Sequence, residues 1–221
     1  MMPGEQTEGQ RARLLAQLRD EPSPVRRDVR RRDVGTLVTA ALLSMLVFVV
    51  AGGPHASQRP VSLVVTAAAA WAAIATVATG LALRRGRSML GPRRAWLLAA
   101  AIAVPLLLGL TWFGLPSPLV WASVPHGYPI DVRCFAVTLA LAVGPFLAFV
   151  RLRREGDPVH PGVTGAALGV AAGAWGAVLI DLHCEMTDPL HVLLGHMLPV
   201  VLLAITGTLV ARSVLAIRAR T

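Results

Sequence analysis

Across 221 residues, 55% are apolar and only 15% are charged, with a mean hydropathy of +0.63 and a formal net charge of +9. A typical soluble domain carries roughly 25% charged residues; here the charges also avoid the long apolar stretches, so lipid is the expected solvent for most of the chain. Every basic residue is Arg, and the absence of Lys excludes Schiff-base chemistry and with it a retinal photoreceptor.

Asn is missing as well as Lys, and both are encoded by AT-rich codons, so the composition points to a GC-rich bacterial genome. The Arg count therefore reflects codon supply as well as chemistry. In a soluble protein a charge of +9 would suggest nucleic acid. In this chain the positive-inside rule explains it, and no direct DNA binding is expected.

The first element is a polar arm, residues 1–35, too short to fold around a core of its own. Thr7-Glu8-Gly9-Gln10 has the form of a capping box. A helix started there carries Leu14, Leu15 and Leu18 on one side, with Arg11 and Arg19 elsewhere, and Glu21-Pro22-Ser23-Pro24 ends it. Val25–Asp33 is then a basic juxtamembrane segment. The Arg cluster alone is explained as a topology signal that touches anionic headgroups, at about 1 kcal/mol per basic residue. A capped, Leu-faced helix upstream of it is better explained as an element that folds into a partner's groove. The arm is polar and shows no cleavable signal peptide, so the first span is expected to act as an uncleaved anchor.

Six stretches follow that meet the requirement of about 20 apolar residues for a transmembrane helix. They are Thr36–Gly52, Val61–Leu83, Ala95–Leu115, Cys134–Val150, Gly162–Ile180 and Leu190–Ala211, and none contains Asp, Glu or Arg. The expected fold is all-α: a six-helix transmembrane domain over residues 36–211, preceded by the arm and followed by a short tail, 212–221. Gly165, Gly169 and Gly173 form a small-xxx-small ladder on the fifth span, the pattern of a close helix contact, although Ala/Gly-rich spans also produce it by chance.

The Arg distribution orients the spans. Eight Arg lie in the arm, five after span two, three after span four and three in the tail, which puts 19 on one side; Arg59 and Arg133 alone lie on the other. Both termini are therefore expected in the cytoplasm.

The chain has two cysteines, Cys134 where span four begins and Cys184 just after span five. The topology puts both at the outer face, where adjacent antiparallel spans bring them close. An oxidising compartment makes them a disulfide candidate, as a permanent staple or as a reversible thiol sensor, with metal binding a third reading. His183, His191 and His196 lie nearby as further candidate sensing residues. Their spacing matches no known metal-ligand pattern, and His191 and His196 are five apart, which rotates them off a common α-helical face, so no metal site is assigned. His196, inside span six, must face the bundle interior or a wet cavity, most simply as a buried, hydrogen-bonded structural residue. No P-loop, H-E-x-x-H, G-x-S-x-G or C-x-x-C is present, so no enzyme and no cofactor is expected.

Several of these features together resemble the NrsF-type anti-sigma factors, six-span bacterial membrane proteins. They are Leu14-Leu15-Ala16-Gln17-Leu18 before Pro22–Pro24 and an Arg run, Arg151-Leu152-Arg153-Arg154-Glu155-Gly156 before Pro161 and a Gly/Ala-rich span, and His183-Cys184 before a final span with Gly195-His196. The resemblance implies an inner-membrane protein that sequesters an extracytoplasmic-function sigma factor. On this reading the arm (Arg11, Leu14, Leu15, Leu18 and Arg19) holds sigma, and Cys134 and Cys184 report the redox state of the envelope. Within that family the chain is most similar to the CarR type of light-induced carotenoid synthesis. The residues also fit a redox- or metal-responsive membrane protein without a sigma partner.

Overall fold

The computed structural model describes residues 24–54, 61–83, 95, 128–154, 160–186 and 189–214. The chain divides into two compact units, Met1–Thr36 and Leu37–Thr221. Among the described residues every regular element is helical, and five helices are long and apolar enough to cross a membrane. The third expected span, Ala95–Leu115, lies outside the described residues apart from Ala95, and so does the helix expected to begin at Thr7.

Helix α1 is Pro24–Val50. Pro24 stands at its first position, where a missing N–H costs nothing. The helix begins well before Thr36, because nothing between Val25 and Gly35 breaks it: the basic juxtamembrane segment forms its first turns. It stops at Gly52 and Gly53, whose φ values of 122° and 66° are open to glycine. The Gly53 amide donates to Phe48 O at 2.9 Å and the Gly52 amide to Val49 O at 3.1 Å, a Schellman closure of the last turn.

Helix α2, Val61–Leu83, has the expected bounds. Helix α3, Tyr128–Arg153, is longer than the expected Cys134–Val150 and takes Arg151 and Arg153 into its last turn, where cations suit the C-terminal dipole. Helix α4 is Pro161–His183. Helix α5 begins as Pro189–Val192, passes through a π-helical turn at Leu193–Met197 and continues as Leu198–Val214.

In the second unit α4 is the central helix. Its mean apolarity carries no preferred side, as expected of a helix covered all round. The glycine ladder is a real contact: a Cβ on Gly165 would collide with Gly207 O and Ala211 Cβ, one on Gly169 with Leu203 O, and one on Gly173 would lie 2.8 Å from Val200 Cα. Only glycine lets α5 approach α4 this closely along an antiparallel path. On the other flank a Cβ on Gly176 would lie 2.8 Å from Thr138 O of α3, and Trp175 Nε1 donates to Thr79 Oγ1 of α2 at 3.2 Å.

Pro145 interrupts α3 and removes the amide that would bond Leu141 O. Ser44 Oγ of α1 donates to that carbonyl at 2.8 Å, and Gly144 admits α1 at the same level, with Ala40 O 3.2 Å from where a Cβ would stand. The outward faces are apolar, with Leu42, Leu46, Val49, Leu147 and Leu209 all exposed. A belt of this kind suits hydrocarbon as solvent and is compatible with a membrane protein.

The antiparallel order gives the bundle two different ends. Gly162 at the start of α4 lies against Arg212 at the end of α5, on the side where α3 ends in Arg151 and Arg153. Cys134, Cys184, His191 and His196 all lie at the other end.

Candidate Cys/His site

Three helix ends build the site. Cys134 lies in the first turns of α3, Cys184 caps the end of α4 with its amide donating to Ile180 O at 2.7 Å, and His191 and His196 lie at the start of α5. All four side chains are buried, both histidines completely. One ligand atom from each falls within 4.8 Å of the other three.

The sulfurs are thiols 3.9 Å apart, Cys134 Sγ donating to Cys184 Sγ. His191 Nε2 stands 3.1 Å from Cys184 Sγ, and its ring meets that of His196 edge-on, with centroids 5.5 Å apart and planes at 75°. The Cys184 thiol is held well below the ordinary thiol range, chiefly by the hydrogen bond from Cys134. Burial opposes this, and the imidazoles of His191 and His196 add to the lowering.

The π turn decides the histidine geometry. In an α-helix, residues five apart diverge by more than a third of a turn; a wider i→i+5 turn between them narrows that divergence. The Leu198 amide bonds back to Leu193 O, which marks the wider turn. The expectation that His191 and His196 leave a common face is therefore corrected: the backbone widens at the one place that brings them together. By distance and angle neither ring nitrogen of His196 meets a hydrogen-bond partner among the described residues, and its interaction with the Cys184 thiol is the one polar contact of its ring there.

Two further residues shape the site. Thr138, one turn after Cys134, places Oγ1 2.7 Å from Cys134 O and 2.9 Å from Gly195 O, so its single proton ties α3 to the π turn. Gly195 leaves room for Cys134, whose Cβ is 3.1 Å from where a Gly195 Cβ would stand. Neither residue carries a sequence signal beyond the position of Thr138 one turn after a cysteine.

His183 is not part of the cluster. Its Nδ1 donates to Gly53 O at 2.7 Å, and its ring stands edge-on to Phe48 at 6.3 Å, so it fastens the end of α4 to the Schellman turn of α1. Arg133 reaches the same turn, with Nη2 3.5 Å from Ala51 O. The arm residues Arg11, Leu14, Leu15, Leu18 and Arg19 lie outside the described residues.

A family model described as NrsF, negative regulator of sigma F, matches residues 18–216. The chain belongs to the NrsF family. The family's name implies negative regulation of a sigma factor, and the match takes in the four Cys/His residues, α1 to α5 and, of the five arm residues singled out above, Leu18 and Arg19. No curated protein and no solved structure matches the chain.

Proposed function

We propose that this NrsF-family chain is a membrane-bound anti-sigma factor that holds an extracytoplasmic-function sigma factor at the bacterial inner membrane and releases it on an envelope, redox or light-generated stress signal. The observation that carries the reading is the family match, which runs through the whole bundle. The 19-to-2 division of Arg supports cytoplasmic termini, with residues 1–35 on the side where sigma is found. Within the arm, Leu14, Leu15 and Leu18 supply the apolar contact, and Arg11 and Arg19 flank it.

Cys134 and Cys184 are the input on the opposite side. Thiol–disulfide exchange with a small external disulfide suits them: the Cys184 thiolate attacks, one thiol leaves, and Cys134 displaces the second thiol as the protein disulfide closes. Closure shortens the sulfur separation from 3.9 Å to about 2.05 Å. That draws the start of α3 and the end of α4 together and loads the Thr138 link to α5. The resemblance to the CarR type adds light-generated stress to the signals that would drive such a step.

The test is co-purification of a sigma factor with the full-length protein, lost in the Leu14→Asp, Leu18→Asp double variant. Unchanged binding in that variant removes the proposed contact. A phenotype of Cys134→Ser that survives deletion of residues 1–20 would instead favour a membrane sensor with no sigma partner.

A further inference from the structure

Two cysteines and two histidines converging in one buried cluster are more than a dithiol requires. A disulfide needs no imidazole, and a core histidine needs a hydrogen-bond partner. His196 is fully buried with both ring nitrogens unpartnered among the described residues. A polar group buried in that way is destabilising unless something satisfies it. Its ring lies edge-on to that of His191 and shares a buried cluster with the two sulfurs, a donor set that lacks one thing, an electron-pair acceptor.

The distances fit one. Bonds of about 2.3 Å to sulfur and about 2.05 Å to nitrogen give a tetrahedron with edges of about 3.8 Å between sulfurs, 3.6 Å between sulfur and nitrogen and 3.3 Å between nitrogens. The sulfurs are already 3.9 Å apart, whereas a disulfide would hold them at about 2.05 Å. The Cys184–His191 edge, at 3.1 Å, opens by roughly 0.5 Å, and the widest pair, at no more than 4.8 Å, closes by at most about 1.5 Å. Rotation about side-chain bonds covers shifts of that size. Two thiolates would neutralise a divalent ion, so the loaded site carries no net charge, the condition for stable burial at the end of an apolar bundle.

We propose that Cys134, Cys184, His191 and His196 form a four-coordinate site for a thiophilic divalent cation of the zinc or cadmium class, assembled by the π turn of α5. The site is closed, with no position left for water or substrate, so its role is structural or sensory. It does not depend on whether the arm holds sigma, because none of its residues belongs to the arm, although Cys134 and Cys184 are also the proposed redox input.

Cobalt(II) added to the full-length, reduced, metal-stripped protein in detergent is the test. Uptake of about one equivalent with the intense visible bands of a tetrahedral centre and a sulfur-to-cobalt charge-transfer band is expected, and zinc should displace it. His196→Leu should bind at least about a hundredfold more weakly, since loss of even an outer-shell partner weakens a site by 10–100-fold. Cys184→Ser should lose the charge-transfer intensity. His196→Leu should fold, because it puts an apolar side chain of similar size into a fully buried position, and its melting temperature should no longer rise with added zinc as that of the wild type does. Weak octahedral-type bands, or equal affinity and equal zinc-induced stabilisation in wild type and His196→Leu, would overturn the proposal. Sigma co-purification is scored separately on the same preparations, so a failure of cobalt binding and a failure of sigma binding are read independently.

Discussion

Ser44 Oγ sits 2.8 Å from Leu141 O, the carbonyl that Pro145 deprives of its amide donor one turn later. The proline, the serine and Gly144 form one device: the proline frees an acceptor, the serine on α1 supplies a donor, and the glycine lets the two helices meet. Removing a hydroxyl from a buried acceptor costs about 1 kcal/mol, and membrane double-mutant cycles average about 0.6. Ser44→Ala should therefore lower the melting temperature of the detergent-solubilised protein. In a Pro145→Ala background, where the restored backbone amide can bond Leu141 O, the same change should cost little. Equal losses in both backgrounds would mean that the serine does not answer the proline.

The glycines of the bundle divide cleanly by what surrounds them. Gly169→Ala drives a methyl group into Leu203 O and should destabilise the protein by about 1–3 kcal/mol, the range for overpacking. Gly80→Ala on α2 meets nothing within 4 Å and should be neutral or stabilising, by up to about 1 kcal/mol. Thermal unfolding of the two variants side by side checks the pair.

His183 ties two helix ends through Gly53 O and Phe48. Because a carbonyl only accepts, the Nδ1–H tautomer is fixed by that bond. His183→Gln, which keeps a donor, should preserve more stability than His183→Leu, and neither should abolish cobalt binding. Loss of the cobalt bands in both variants would place His183 in the cluster after all.

Orientation is open to a direct check. Reporter fusions active only outside the cytoplasm should work when joined after Pro54 or Met186 and fail after Arg154 or Val214, given the Arg count on each side. The reverse pattern would move the Cys/His cluster to the cytoplasmic face.

Much of the bundle was legible because span formation depends on sums. Hydropathy over about twenty residues tolerates local irregularity, so Val61–Leu83 agreed to the residue, and the Gly165–Gly169–Gly173 ladder named its own contact face. The cysteine pair was readable for a topological reason: antiparallel neighbours bring Cys134 and Cys184 to one end whatever the details. The histidine geometry was not readable. It depends on a single widened turn at Leu193–Met197, and no residue type there demands a π turn. Ideal α spacing therefore separated His191 from His196. Ser44 and Thr138 were hidden for a similar reason, since each bonds a carbonyl in a distant segment, Leu141 and Gly195, and hydroxyls leave no periodic trace.

The proposed relay couples the state of Cys134 and Cys184 to the sigma factor that the arm holds. Sigma retained by the full-length protein, immobilised in detergent, should be measured before and after treatment with a small oxidising disulfide. Wild-type protein should release sigma on oxidation and retain it again after reduction, while Cys134→Ser and Cys184→Ser variants hold sigma throughout. Sigma that stays bound to fully oxidised wild-type protein, or that leaves the cysteine variants equally, would contradict the relay.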